Sequence, residues 1–143
     1  MIDIERAADL LELHEGNERF PYRCTAGKLT IGIGFNLDDT GLYPEEIEFI
    51  LRNRIRRTEA KLQRVVPAYR HLSMVRKIVL VDMAYNLGTS RFLKFEKMLA
   101  ALELRDYKLA AAEMLDSKWA RKDVGARAVR LAEMMRTGEW PES

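Results

Sequence analysis

The sequence predicts an α+β fold that is mostly helical, with a small N-terminal β-hairpin lobe joined by a long helix to a helical lobe. Three observations lead there. Apolar residues recur at three- and four-residue steps over most of the chain, the period of an amphipathic helix. Residues Phe20 to Phe35 break that period with short β-prone runs around a polar, glycine-containing loop. From Pro44 to Val66 the helical stripe then persists for about twenty residues, or ~30 Å. At 143 residues the chain is one domain, or two small lobes sharing a core. The expected layout of residues 1–143 is a β-containing lobe over 15–43, a linking helix over 44–66, and a helical lobe over 67–143 that includes the N-terminal helix, 2–14.

The elements follow in order. Ile4, Ala7, Ala8 and Leu11 form the stripe of the first helix, and Gly16 is placed to end it. Tyr22 to Cys24 and Leu29 to Ile33 flank Thr25-Ala26-Gly27-Lys28, so a hairpin is expected. Alternation sets Leu29, Ile31 and Ile33 on one face, and Thr30 and Gly32 on the other. Asn36 to Gly41 is turn-rich. Pro44-Glu45-Glu46 opens the long helix, whose stripe is Ile47, Leu51, Ile55, Leu62 and Val66. Arg52, Arg54, Arg56, Arg57, Lys61 and Arg64 cover its other faces, a solvated surface rather than a nucleic-acid patch, since no aromatics interleave. Ser73 caps a helix that is apolar on nearly all sides and stops at Gly88. Phe92 to Leu104, Tyr107 to Leu115 and Val124 to Met135 give three more helices.

One stretch carries chemistry-bearing residues at short intervals. Eight residues separate Glu15 from Cys24, and five separate Cys24 from Thr30, which opens Thr30-Ile31-Gly32-Ile33-Gly34. Glu15 falls at a helix C-terminus, where the macrodipole disfavours an ionised carboxylate, a setting that suits a general acid. Hairpin pairing brings Cys24 and Thr30 near one another. Gly32 and Gly34 lack side chains, which suits a strand approached closely by a substrate or another backbone. Singly, each has a plain alternative: a solvated glutamate, a small buried cysteine, a β-prone threonine.

Taken together, these residues closely resemble the phage-type lysozymes, the muramidases of glycoside hydrolase family 24. Their signature is Glu, eight residues, Asp or Cys, five residues, then Thr opening T-[IV]-G-x-G. Met83 to Gly88, Ser117-Lys118-Trp119, Gly125 to Ala128 and the ending Arg136-Thr137-Gly138-Glu139-Trp140 resemble further family stretches. The resemblance implies hydrolysis of the β-1,4 bond between N-acetylmuramic acid and N-acetylglucosamine in bacterial peptidoglycan, with inversion. Glu15 would be the general acid, with Cys24 and Thr30 positioning water. Arg127 aligns with an arginine that pairs with the catalytic glutamate, and Gly32, Tyr85 and Asn86 would face substrate. Where the family often has histidine after T-I-G-x-G, this chain has Phe35, so a hydrogen-bonding tie is missing. An unperturbed thiol titrates at about 8.5 and is mostly neutral near pH 7, so Cys24 is expected to be a poor general base.

Composition narrows the remaining classes. The chain is 48% hydrophobic and 32% charged, as expected for a globular protein, and its single cysteine excludes an internal disulfide. No Cys/His cluster has metal-ligand spacing, so neither metal nor cofactor is expected. No window approaches the ~20 apolar residues of a membrane span, and the acidic N-terminus suits neither a signal peptide nor an anchor. The resemblance then implies a monomer held in the bacterial host cytoplasm, needing a holin-like partner to reach the wall. The first 43 residues carry eight acids and four bases, and the following hundred carry 14 acids and 20 bases. That basic body would favour an anionic wall, though it is equally a solubility feature. Two rivals stand beside the muramidase: a non-catalytic peptidoglycan-binding homologue, and a hydrolase of a related glycan such as chitin. A helical DNA-binding protein is disfavoured by the net charge of +2.

Overall fold

The computed structural model describes residues 1–141. Seven α-helices, a three-stranded antiparallel sheet, one 3₁₀ turn and one π-helical turn make up the described chain, a lysozyme-like α+β arrangement. Contacts divide it between Ile50 and Leu51 into two compact units.

The first unit holds α1 (Ile4–Glu15), β1 (Glu18–Arg23), β2 (Leu29–Gly32), β3 (Phe35–Asn36) and the opening of α2 (Pro44–Val65). Asp3 caps α1 by accepting the Arg6 N–H at 3.1 Å, and the Gly16 N–H closes its far end on the Glu12 carbonyl at 2.9 Å. None of its residues is buried. The expected hairpin forms with Tyr22 opposite Thr30 and Arg23 opposite Leu29, and a bulge precedes Tyr22. Its turn is closed by the Gly27 N–H on the Cys24 carbonyl (2.8 Å) and the Cys24 N–H on the Lys28 carbonyl (3.0 Å). Gly27 has φ +78, the left-handed conformation that such a turn requires. A third strand pairs Phe35 with Ile31 and Asn36 with Thr30, an addition too short for alternation to reveal. Asp38 locks the start of β2 by accepting the Leu29 N–H at 2.8 Å. Thr30 is 3% exposed, so the face opposite Leu29 and Ile31 is the better covered one.

The second unit carries the apolar core. It contains the rest of α2, the 3₁₀ turn Pro67–His71, α3 (Met74–Leu87), α4 (Thr89–Phe92), α5 (Glu96–Glu103), α6 (Tyr107–Leu115), the π turn Trp119–Asp123 and α7 (Gly125–Thr137). Leu62, Tyr69, Leu80, Met83, Phe92, Met98 and Met114 lie within one buried cluster. Each such side chain contributes roughly 1.5–3 kcal/mol by leaving water. Ser73 accepts the Arg76 N–H at 3.4 Å and α3 ends at Gly88, as its sequence requires. Along α2, Leu62 is fully buried whereas Ile47, Leu51 and Ile55 stay 40–53% exposed. The expected helix over 92–104 is broken at Leu93–Phe95 into α4 and α5. No helix among the described residues is long and apolar enough to cross a membrane.

Candidate active site

Glu15 is the last residue of α1, and the β2–β3 turn carries Gly34 against its side chain. A Cβ built on Gly34 would lie 2.7 Å from Glu15 Oε2 and 2.9 Å from its Cδ. Gly34 also has φ +69. Glycine is required there twice over, for the left-handed backbone and for the space the carboxylate occupies. Gly34 is thus the point of the β2–β3 turn on which the Glu15 side chain rests. At Gly32 the equivalent space is taken by this chain's own Phe35, whose ring carbon would lie 2.5 Å from a Cβ.

Cys24 begins the hairpin turn and is half-buried. Its thiol titrates below the ordinary range because the backbone hydrogen bond from Lys28 favours the thiolate, followed by that from Ala26. Partial desolvation opposes them, and the Thr30 hydroxyl adds a smaller contribution in the same direction as the backbone. This corrects the expectation of an ordinary thiol. The turn aims N–H groups at the sulfur, and sequence spacing does not reveal that. Cys24 and Thr30 are brought together, as hairpin pairing suggested. The Thr30 hydroxyl lies 2.8 Å from the Lys28 carbonyl, to which it donates whenever its single hydrogen is not turned to the thiolate, and in either position its lone pairs serve as acceptors. A thiol or thiolate beside a hydroxyl acceptor can hold a water molecule by both its hydrogens.

The other expected site residues lie in the second unit. Asn86 Oδ1 accepts the indole N–H of buried Trp119 at 2.9 Å, tying the end of α3 to the π turn. Trp119 also meets Phe95 edge-to-face, with ring centroids 5.9 Å apart. Tyr85, beside Asn86, is 45% exposed and lines a groove with Arg54 and Arg57. Arg127 is held by Asp82: its Nε donates to Oδ1 at 2.8 Å, and a second guanidinium nitrogen lies 2.6 Å from the same oxygen. Asp82 was missed in the sequence. Its signal was there, since a lone acid inside an otherwise apolar helical run needs a cationic partner. Among the described residues no cluster of His, Cys, Asp and Glu could hold a metal ion.

Comparison with known proteins identifies the family. The phage lysozyme family model matches residues 12–135. The chain is 26% identical to an endolysin of Acyrthosiphon pisum secondary endosymbiont phage 1, over 92% of this chain and 89% of that protein. It is also 26% identical to a probable T4-type lysozyme of Dictyostelium discoideum, over 94% of this chain and 95% of that one. With the family model matching most of its length, this chain belongs to the phage lysozyme family.

Proposed function

We propose that this protein is an inverting muramidase of the endolysin type, hydrolysing the β-1,4 bond between N-acetylmuramic acid and N-acetylglucosamine in peptidoglycan. The observation that carries the reading is the pairing of two features on one small sheet. A glutamate rests on a glycine turn, and a thiol with lowered pKa stands beside a threonine hydroxyl. Glu15 donates a proton to the leaving glycosidic oxygen. Cys24 and Thr30 hold the water that attacks the anomeric carbon from the opposite face, and the configuration inverts. A thiolate favoured by backbone donors also accepts a proton from that water more readily than a free thiol would. Membership of a lysozyme family supports a glycoside hydrolase over a purely binding homologue, as does the retained glutamate.

Product analysis of a fresh peptidoglycan digest tests this reading. NMR of the first reducing ends should show muramic acid in the α configuration. The β anomer first would mean retention, and an anhydro-muramic end would mean transglycosylation; either overturns the mechanism. Release of N-acetylglucosamine oligomers from chitin, with peptidoglycan untouched, would favour the related-glycan reading instead. In the cell, such an enzyme would act on the wall once a holin-like protein had opened the membrane.

A further inference from the structure

The β2–β3 turn sets an aromatic ring next in the chain to the glycine that carries Glu15. Gly32, Ile33 and Gly34 separate Ile31 from Phe35, which pair across the two strands. Gly34 meets the Glu15 carboxyl, and Phe35 follows it across one trans peptide, so their Cα atoms are about 3.8 Å apart.

The ring folds back over the start of the turn. Its Cε2 and Cδ2 would lie 2.5 and 2.6 Å from a Cβ on Gly32, and its Cζ 3.4 Å. Phe35 therefore occupies the place of the side chain that Gly32 lacks. With φ +66, Gly32 also holds a backbone that favours glycine, so the seat is specific to that residue. Seated along one edge, the ring is fixed against backbone while Phe35 stays 49% exposed. A ligand approaching Gly32 meets this ring, not the bare strand expected from the sequence. Phe20 on β1 is a contrast: it is 72% exposed, and its ring meets the Arg19 guanidinium at 5.4 Å.

We propose that Phe35 is a specificity-determining residue, a platform on which a pyranose ring stacks when its glycosidic oxygen lies at Glu15. This role rests on the muramidase reading and names what the small sheet recognises in the substrate. Glucosamine and muramic acid units carry their ring substituents equatorially, so each sugar face presents axial C–H groups. The negative face of an aromatic ring attracts such groups, and aromatic side chains commonly line ligand sites. A sugar with an axial hydroxyl would press a polar group on the same ring and leave it without a partner. The platform thus selects gluco-configured units.

The test is NMR-monitored binding by the full chain carrying Glu15→Gln, so that no ligand is consumed. The probe is a soluble oligosaccharide of alternating N-acetylmuramic acid and N-acetylglucosamine. Axial sugar protons should move upfield in the ring current, and the Phe35 ring resonances should shift with them, a readout that needs no further variant to fold. Phe35→Leu should weaken binding roughly fivefold, Phe35→Tyr should restore it, and Phe20→Leu should leave it unchanged. In the cleaving chain, Phe35→Leu should raise KM and leave kcat nearly as it was. Unshifted sugar protons, undiminished binding by Phe35→Leu, or an equal loss from Phe20→Leu would overturn the proposal. So would a fall in kcat at constant KM, which would make the ring a support for the turn. Shifted sugar protons in a chain that leaves peptidoglycan uncleaved would refute the muramidase reading and keep the platform. Normal cleavage products with unshifted sugar protons would refute the platform alone.

Discussion

Replacing Gly34 by alanine separates two quantities that usually change together. The new Cβ would stand 2.7 Å from Glu15 Oε2, 2.9 Å from Cδ and 3.0 Å from Cγ. Comfortable carbon contacts begin near 3.5 Å, so the carboxyl group must move by roughly 0.5–1 Å. Misplacing a reacting group by about 1 Å can cost on the order of 100-fold in rate, or about 2.7 kcal/mol of barrier. The left-handed backbone at φ +69 adds about 1–2 kcal/mol of strain for a residue with a side chain. Gly41 supplies the control, with φ +65 and nothing within 4 Å of its Cβ position. Gly41→Ala and Gly34→Ala should therefore lose similar stability in urea unfolding. Only Gly34→Ala should slow the clearing of permeabilised cells, by roughly 100-fold. If the two variants clear cells equally well, the rest of Glu15 on Gly34 has no part in catalysis.

Cys24 and Asn86 give further tests. The native Cys24 thiolate is favoured by backbone donors, so that stabilisation is present above the unfolded pKa and lost as pH falls through the lower folded value. Iodoacetamide should accordingly react with the native protein at a lower pH midpoint than with the urea-unfolded chain; an equal or higher midpoint would contradict the turn geometry. Alkylation should block cleavage, Cys24→Asp should remain active, and Cys24→Ala should stay folded but lose activity, whereas an active alanine variant would remove the thiol from the mechanism. Asn86→Ala strands the indole N–H of a tryptophan that is 3% exposed, and should cost about 1 kcal/mol in urea unfolding, softened by water reaching the exposed asparagine position. Unchanged stability would show that the Trp119 tie contributes nothing.

What the sequence disclosed follows from which signals are local. The bounds of α3 were legible because a capping serine and a terminal glycine punctuate an apolar run. The hairpin was legible because Gly27 marks its turn and Cys24 and Thr30 flank it. The third strand was not, since Phe35 and Asn36 are too few to show a period, and neither was the break between α4 and α5, where apolar spacing continues through Leu93 and Phe95. Of the proposed site, Glu15, Cys24 and Thr30 are the residues that the sequence singles out by interval. Two features did not: the lowered pKa of Cys24, which comes from backbone N–H groups that every residue possesses, and the pairing of Arg127 with Asp82 across 45 positions. Both depend on tertiary placement, which interval alone does not encode.

The central claim is that Glu15 is the proton donor to the leaving sugar. Its most direct test compares the native protein with Glu15→Gln on purified peptidoglycan, counting new reducing ends while far-UV circular dichroism and sedimentation with the insoluble wall monitor fold and binding. A glutamine matches the shape of glutamate but its amide cannot supply the proton, so the variant should fold, bind and release almost no reducing ends. A folded, wall-bound Glu15→Gln protein that still cleaves at a substantial fraction of the native rate would contradict the assignment.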